Sequence, residues 1–393
     1  MTAFLWIDRP EQLAAGVERW LEASVGRSAT LASGGARVDI ALDTEFVFER
    51  TFRPLLGLIQ IAVGGEIALV DAVRIADLSP LAPLFEAVGG RKILHSGSGD
   101  VPILRRATGA SPRPLFDTQI AAAFAGLGMS LSYAALIREL FAVDLPKHET
   151  RTDWLRRPLS TEQLRYAAED VLHLGAAAAE LERRLVELGR LEWALEDSAE
   201  LANLDSDVVQ PAEAWRRVKG LDRLLPRERA VARALAAWRE TEADRLDLAR
   251  PFLLRDETLL ALARREFVTS EEIAKLPGFE SRRHEHYAAR WIEALAAARA
   301  VASIAAGDVA EPAPLSPRER ARRRALEEAI SELVAQRAGE LGIPAELLLS
   351  RRQRDRALSA WRENGGGSLA EILGGFRGRL LGDDLEALAA AAG

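Results

Sequence analysis

Five side chains in this sequence could carry out hydrolytic chemistry together. Asp43 and Glu45 stand one residue apart at the end of the apolar run Val38-Asp39-Ile40-Ala41-Leu42. Along a β-strand side chains repeat every second residue, so the two carboxylates emerge on one side of a sheet and can converge on one hard cation, while Thr44 points the other way. Asp100 closes His95-Ser96-Gly97-Ser98-Gly99-Asp100, a strand followed by a small-residue turn into a helix. A carboxylate there can face back over the same sheet edge. Tyr166 and Asp170 are four apart on a helix and therefore share a face, with Cβ atoms about 6 Å apart. Asp43, Glu45, Asp100 and Asp170 make an oxygen-only ligand set, suited to Mg2+ or Mn2+ rather than Zn2+. Divalent ions held by such a set can acidify a bound water and neutralise charge that develops on oxygen during hydrolysis. Taken singly, each feature has a plainer use: an acid where a strand leaves the core, a helix N-cap at Asp100, a surface pair at Tyr166 and Asp170.

The elements that must position these groups follow from the apolar patterning. Phe4 to Ile7, Val38 to Asp43, Gly57 to Val63, Ile67 to Asp71 and Lys92 to His95 read as strands, and Gln12 to Ala23 and Leu78 to Ala87 as amphipathic helices. The second, third and fourth strands are close in sequence, with a tight turn at Val63-Gly64-Gly65-Glu66, and the later ones are helix-connected, so a mixed sheet is expected. From about residue 119 the pattern is helical. Ser160-Thr161-Glu162-Gln163 is a capping box, with Leu159 and Leu164 placed for a hydrophobic staple, and it starts the helix that bears Tyr166 and Asp170. Linkers are expected at 205–211 and, with three prolines, at 307–317. They divide the chain into an α/β domain over 1–205 and helical units over 212–302 and 318–393.

Composition narrows the setting. With 393 residues, more than one domain is the expectation. No cysteine is present, which excludes a disulfide framework and a thiol nucleophile and fits a cytoplasmic protein. No stretch is long and apolar enough to span a membrane. The net charge of −7 is unevenly distributed, with 21 basic and 29 acidic side chains in residues 1–205 against 31 and 30 in residues 206–393. The acidic half needs bound metal or local basic groups to hold a phosphate backbone.

In this order the five residues resemble the DEDD exonucleases, in the subclass with tyrosine in the last motif: D-T-E-F at Asp43 to Phe46, H-S-x-x-x-D ending at Asp100, and Y-x-x-x-D at Tyr166 to Asp170. The run Lys147-His148-Glu149-Thr150-Arg151-Thr152-Asp153-Trp154-Leu155-Arg156-Arg157-Pro158-Leu159, leading into Gln163 and Tyr166, is similar to the ribonuclease D signature. Trp215-Arg216-Arg217-Val218-Lys219-Gly220, Pro226-Arg227-Glu228-Arg229, Trp238-Arg239-Glu240 and Arg255-Asp256-Glu257-Thr258-Leu259 resemble an HRDC domain, the helical nucleic-acid-binding module. Beyond 318 the likeness continues as a second, degenerate HRDC-like unit, with Gly342-Ile343-Pro344-Ala345-Glu346-Leu347-Leu348 its most familiar piece.

The resemblance implies a ribonuclease H-like mixed-sheet exonuclease domain followed by two all-α HRDC-like domains. It also implies a 3′-5′ exoribonuclease that releases nucleoside 5′-monophosphates, in tRNA 3′-end maturation. Asp43, Glu45 and Asp170 would hold the metal that activates the water, Asp43 would bridge to a second metal, and Asp100 would act mainly through bound water. Tyr166 would orient the attacking water, with Glu45 a neighbouring acceptor. Lys147, Arg151 and the Arg156-Arg157 pair are candidates for phosphate contacts, the last pair equally for a solvated turn. Gln60 is a candidate for the terminal nucleotide, the plainer reading being an exposed strand glutamine. Trp154 reads as a docking residue for its loop, and Asp117 and Thr118 as a strand-end cap. The expected partner is RNA with a single-stranded 3′ end, tRNA precursors first, met by a monomer with no membrane role. A DNA exonuclease on the same fold and an inactive nucleic-acid-binding scaffold are the alternatives.

Overall fold

The structure is a computed structural model and describes residues 3–26, 38–145, 152–203, 210–266, 268–308, 316–363 and 368–392. Its N-terminal part alternates strands and helices in the order β1 (Leu5–Ile7), α1 (Pro10–Gly26), β2 (Ile40–Val47), β3 (Leu55–Val63), β4 (Glu66–Asp71), α2 (Ala82–Glu86), β5 (Lys92–Leu94), α3 (Asp100–Thr108), β6 (Leu115–Asp117) and α4 (Thr118–Phe124). Four more helices follow: α5 (Tyr133–Phe141), α6 (Thr161–Leu172), α7 (Leu174–Glu187) and α8 (Leu191–Ala202). Among the described residues six strands form one sheet in the order β1-β4-β3-β2-β5-β6. β3 and β4 are antiparallel, and β1 on β4, β2 on β5 and β5 on β6 are parallel. The mixed sheet expected from strand spacing is present. β6 is a further strand, three residues long, in the segment read only as a strand-end cap.

Alternation along β2 serves both faces of the sheet. Ile40 and Leu42 are buried with Leu13, Trp20, Val101 and Leu104. Ala41 belongs to the opposite core, with Phe116, Ala168, Val171 and Leu181. Burying each of these large apolar side chains contributes about 1.5–3 kcal/mol, so the register of β2 is firmly set.

The chain divides into two compact units that do not follow its order. One holds residues 1–46, 56–204 and 315–393, and the other residues 47–55 and 205–314. In the second unit, α9 (Pro226–Arg245), α10 (Arg250–Leu253), α11 (Asp256–Ala263), α12 (Ser270–Ile273), α13 (Ser281–His284) and α14 (Ala288–Asp308) enclose a core around the fully buried Trp291. The segment 47–55 inserts Phe52 into that core. Arg250 lies 4.3 Å over its ring, and its N–H donates to Asp247 at 3.2 Å.

The C-terminal helices are α15 (Pro317–Leu341), α16 (Ala345–Leu348), α17 (Arg351–Glu363), α18 (Leu369–Leu373) and α19 (Gly375–Ala392). They pack in the same unit as the sheet. Arg377 forks onto Asp197 at 2.6 and 2.8 Å, and Phe376 stacks on Trp193 at 5.1 Å. The element sequence of this segment parallels that of α9–α14. In each, a long helix is followed by a four-residue helix ending at an extended leucine, Leu254 or Leu349. After a further helix, α11 or α17, a short helix leads to a glycine of positive φ, Gly278 or Gly374, close before a phenylalanine; the final long helix then follows, after α13 in the first case and directly in the second.

Candidate active site

β2 carries Asp43 at its middle and Glu45 in its second half. The strand does not stop at the acids, as its apolar run implied, but continues to Val47. What stops is its neighbour. β5 pairs Ile40 with Lys92 and Ala41 with Ile93 and ends at Leu94, so its ladder with β2 does not reach the acids. By alternation Asp43 and Glu45 share the face of Ala41, which is the face packed by Ala168 and Val171 of α6. Asp170 of the same helix meets them there, and one carboxylate oxygen from each of Asp43, Glu45 and Asp170 lies within 4.8 Å of the other two.

Asp100 stands outside that trio and arrives from the other face. α3 packs there through Val101 and Leu104, beside Ile40 and Leu42. Thr44 faces that side, as alternation requires, and its buried hydroxyl donates to Oδ1 of Asp100. Thr44 is thus a site residue that the sequence reading passed over. The signal was its parity, opposite to the two acids and toward Asp100. The turn before Asp100 is held by Asp117, whose carboxylate accepts from the N–H groups of Ser96 at 3.3 Å and Gly97 at 2.8 Å while capping α4 through Gln119 and Ile120. Ser96 is left-handed, φ 59°, a conformation that two such bonds sustain. His95 is spent structurally, with Nδ1 at 2.9 Å from the Thr118 hydroxyl and Nε2 at 3.0 Å from the Leu131 carbonyl.

α6 begins where its sequence says. The Ser160 hydroxyl accepts from Gln163 N–H at 3.2 Å, and the Gln163 side chain accepts from Ser160 N–H at 2.9 Å. At the far end the Tyr133 hydroxyl donates to the Glu169 carbonyl and accepts from His173 N–H, closing the last turn around Asp170. The Tyr166 hydroxyl hydrogen-bonds to Asp170, and its ring lies 6.1 Å from that of Trp154.

The electrostatics are those of unpaired acids in a confined place. Burial, then the Asp100, Asp170 and Glu45 charges, pushes Asp43 well above the ordinary carboxylate range. Burial with Asp170 and Asp100 raises Glu45 to about 8. Asp170 rises to about 7 through burial despite its bond from Tyr166, and Asp100 to about 6 through burial despite its bond from Thr44. Burial beside Asp170, Glu45 and Asp43 pushes the Tyr166 hydroxyl above the usual tyrosine value. Among the described residues no cationic side chain forms an ion pair with these acids or lowers their pKa. Such a donor set fits a divalent cation, which would replace protons as the neutralising charge.

Other expectations fare differently. Gln60 is fully buried, and neither its Oε1 nor its Nε2 has a hydrogen-bond partner, so it is not the exposed strand glutamine of the plainer reading. The β2-β3-β4 part of the sheet is covered on both faces, which alternation along one strand cannot reveal. Lys147 and Arg151 lie outside the described residues. Arg156 is exposed, whereas Arg157 is turned inward onto Asp71.

Comparison with known proteins gives the same picture. Residues 6–185 match the family described as 3'-5' exonuclease, and residues 228–295 match the HRDC domain. The chain is 39% identical over 350 residues to ribonuclease D of Pseudomonas paraeruginosa, covering 88% of this chain and 90% of that protein. It is 37% identical over 352 residues to ribonuclease D of Escherichia coli K12, covering 89% and 92%. The crystal structure of the Escherichia coli enzyme, described as an exoribonuclease involved in structured RNA processing, superposes with a TM-score of 0.81 at 33% identity over 99% of both chains. A Bifidobacterium adolescentis protein shares the fold, with a TM-score of 0.69 at 20% identity over 99% of this chain and 97% of that one. With its acidic cluster on a mixed sheet and an HRDC module later in the sequence, this chain belongs to the ribonuclease D family of 3′-5′ exoribonucleases.

Proposed function

We propose that the chain is a metal-dependent 3′-5′ exoribonuclease that trims single-stranded 3′ ends of structured RNA, tRNA precursors first, as a monomer releasing nucleoside 5′-monophosphates. The observation that carries this reading is the convergence of Asp43, Glu45 and Asp170 within 4.8 Å without a counter-charge among the described residues. Asp43, Glu45 and Asp170 would hold one divalent ion, Asp43 would serve a second as well, and Asp100 would act through water. Mg2+ or Mn2+ held there would supply positive charge for the phosphate oxygens and would acidify the attacking water. Tyr166 orients that water through its hydroxyl, and Glu45 is the neighbouring proton acceptor. Thr44 holds Asp100 in place. Lys147 and Arg151 are assigned to the phosphate backbone of the incoming strand.

The helical regions are assigned to RNA binding, the first as an HRDC domain and residues 318–393 as a degenerate second copy. The parallel order of helices, down to Gly278 and Gly374 before Phe279 and Phe376, supports that assignment. Arginine contacts to phosphate make such binding salt-dependent.

The test is a 5′-labelled RNA with a single-stranded 3′ extension incubated with Mg2+, beside matched DNA and the Asp43→Asn variant. A ladder of shortened RNA that disappears with EDTA and in the variant is expected. Intact RNA at enzyme excess refutes the activity, and preferential shortening of the DNA reassigns the substrate.

A further inference from the structure

Arg157 has no donor left for a substrate. Its Nε donates to Oδ2 of Asp71 at 2.7 Å and its Nη2 to Oδ1 of Asp71 at 2.6 Å. Nη2 also donates to the Gly57 carbonyl at 2.7 Å, and Nη1 to the carbonyls of Trp154 at 2.8 Å and Arg156 at 3.0 Å. A guanidinium has five N–H groups, and these five bonds use them all. Asp71, the last residue of β4, is fully buried and also accepts from the N–H groups of Val73 and Arg74. A buried bidentate pair of this kind fixes orientation as well as position.

What it fixes is the loop ahead of α6. Trp154 is 6% exposed, and its carbonyl lies so close over β3 that a Cβ on Gly57 would come within 2.5 Å of it. The Trp154 ring in turn lies against the Tyr166 ring, 6.1 Å between centroids and 33° between planes. The hydroxyl of that ring is hydrogen-bonded to Asp170. Contacts thus run without a gap from a buried ion pair at the end of β4 to the acidic trio.

We propose that Arg157, held by Asp71, is a positioning residue for hydrolysis: it seats Trp154 as a backstop behind Tyr166 and so keeps the Tyr166 hydroxyl at the place where the attacking water is aligned. The inference rests on the role proposed above for Tyr166. Lysine cannot replace Arg157, because an ammonium offers three donors from one point and cannot span a carboxylate and three carbonyls.

A double-mutant cycle on the full chain separates positioning from mere support. Arg157→Lys and Tyr166→Phe, singly and together, are assayed at saturating Mg2+ below the lowest melting temperature, on RNA with a single-stranded 3′ end. Arg157→Lys should lower kcat about 10- to 100-fold with KM for RNA within about twofold, the scale of losing a supporting contact behind a catalytic group. In the Tyr166→Phe background it should cost nothing further. Losses that multiply, a raised KM with kcat intact, or a lower Tm with unchanged kcat each overturn the proposal. If Arg157→Lys does not fold, Trp154→Phe takes its place in the cycle and must show the same non-additivity. A Tyr166→Phe variant with full kcat overturns the assignment of Tyr166 and the clamp with it, whereas multiplicative losses overturn the clamp alone.

Discussion

The two parts of β2 treat half-buried acids in opposite ways. Just before the strand, Asp39 accepts from Arg91 at 2.8 Å through the guanidinium and at 2.9 Å through the backbone N–H. The same guanidinium reaches Glu182 at 2.8 Å and lies 4.5 Å over the Phe116 ring. Further along, Asp43 and Glu45 meet other acids and no cation among the described residues, and burial with mutual repulsion drives their pKa values up. The first arrangement compensates charge with protein and serves the fold. The second leaves it uncompensated, and the strain persists because β2 is pinned by apolar packing on both faces. The same contrast separates Asp71, which Arg157 neutralises, from Asp170 on α6. An acid cluster that the fold declines to pair is what distinguishes a cation site from a structural ion pair.

The sharpest way to break this contrast is to remove one acid from each end. Asp43→Asn should lower kcat by about 10³-fold, since roughly 4 kcal/mol of transition-state stabilisation depends on the trio. In EDTA at pH 8 the same variant should melt at a higher temperature than the parent, because a repelling buried charge has been removed. Single-turnover kinetics and thermal melts read the two effects. A variant that loses both activity and stability would mean that Asp43 is structural. At the other end, Arg91→Ala removes the buried guanidinium shared by Asp39 and Glu182 and should cost about 3 kcal/mol of stability. Below its melting temperature its kcat should stay within about twofold of the parent, and a large loss of kcat would join the two ends that the contrast keeps apart.

A subtler prediction concerns pH. The folded-state values of Asp100, Asp170 and Glu45, about 6, 7 and 8, lie above the unfolded carboxylate range near 4. Between those limits the metal-free folded chain binds more protons than the unfolded chain, so the stabilisation from this cluster is complete below about pH 4 and is lost as pH rises through 6 to 8. The loss should be on the order of 1–2 kcal/mol once water reaching these partly exposed groups is allowed for. Mg2+ binds the ionised groups and should restore stability most at pH 8, releasing protons as it does so. Melting curves at pH 5.5, 7 and 8.5, in EDTA and in Mg2+, test it by the difference between parent and Asp43→Asn. A Mg2+ effect that does not grow with pH contradicts the assignment of the acids.

Much of this was legible in the sequence because it depends on local periodicity. The one-residue gap between Asp43 and Glu45 fixes their common face, and the four-residue gap does the same for Tyr166 and Asp170. Ser160 and Gln163 mark the start of α6 by a bond pattern three residues long. What stayed hidden depends on pairing between distant segments. Thr44 acquires a role only because α3 delivers Asp100 to the opposite face of β2. Arg157 read equally as a phosphate contact or part of a solvated turn, and its partner Asp71 lies 86 residues away. Gln60 was misread because nothing in β3 alone says that both its faces are covered. The grouping of residues 315–393 with the sheet, while 47–55 join the helices of 205–314, is likewise a fact of tertiary contact.

The smallest effect tests how far the placement of Tyr166 and Asp170 depends on their own helix. Ser160→Ala removes the hydroxyl half of the capping box and should cost about 1 kcal/mol. If α6 were held mainly by its cap, the start of the helix would fray and kcat would fall with stability. The contacts argue otherwise: Trp154 backs the Tyr166 ring, Ala167, Ala168 and Val171 are fully buried, and Tyr133 closes the turn around Asp170. We therefore expect a melting temperature lower by a few degrees and a kcat within about twofold of the parent. A tenfold loss of kcat at a temperature where the variant is fully folded would show that the cap, not the packing beyond it, sets the geometry of the acids.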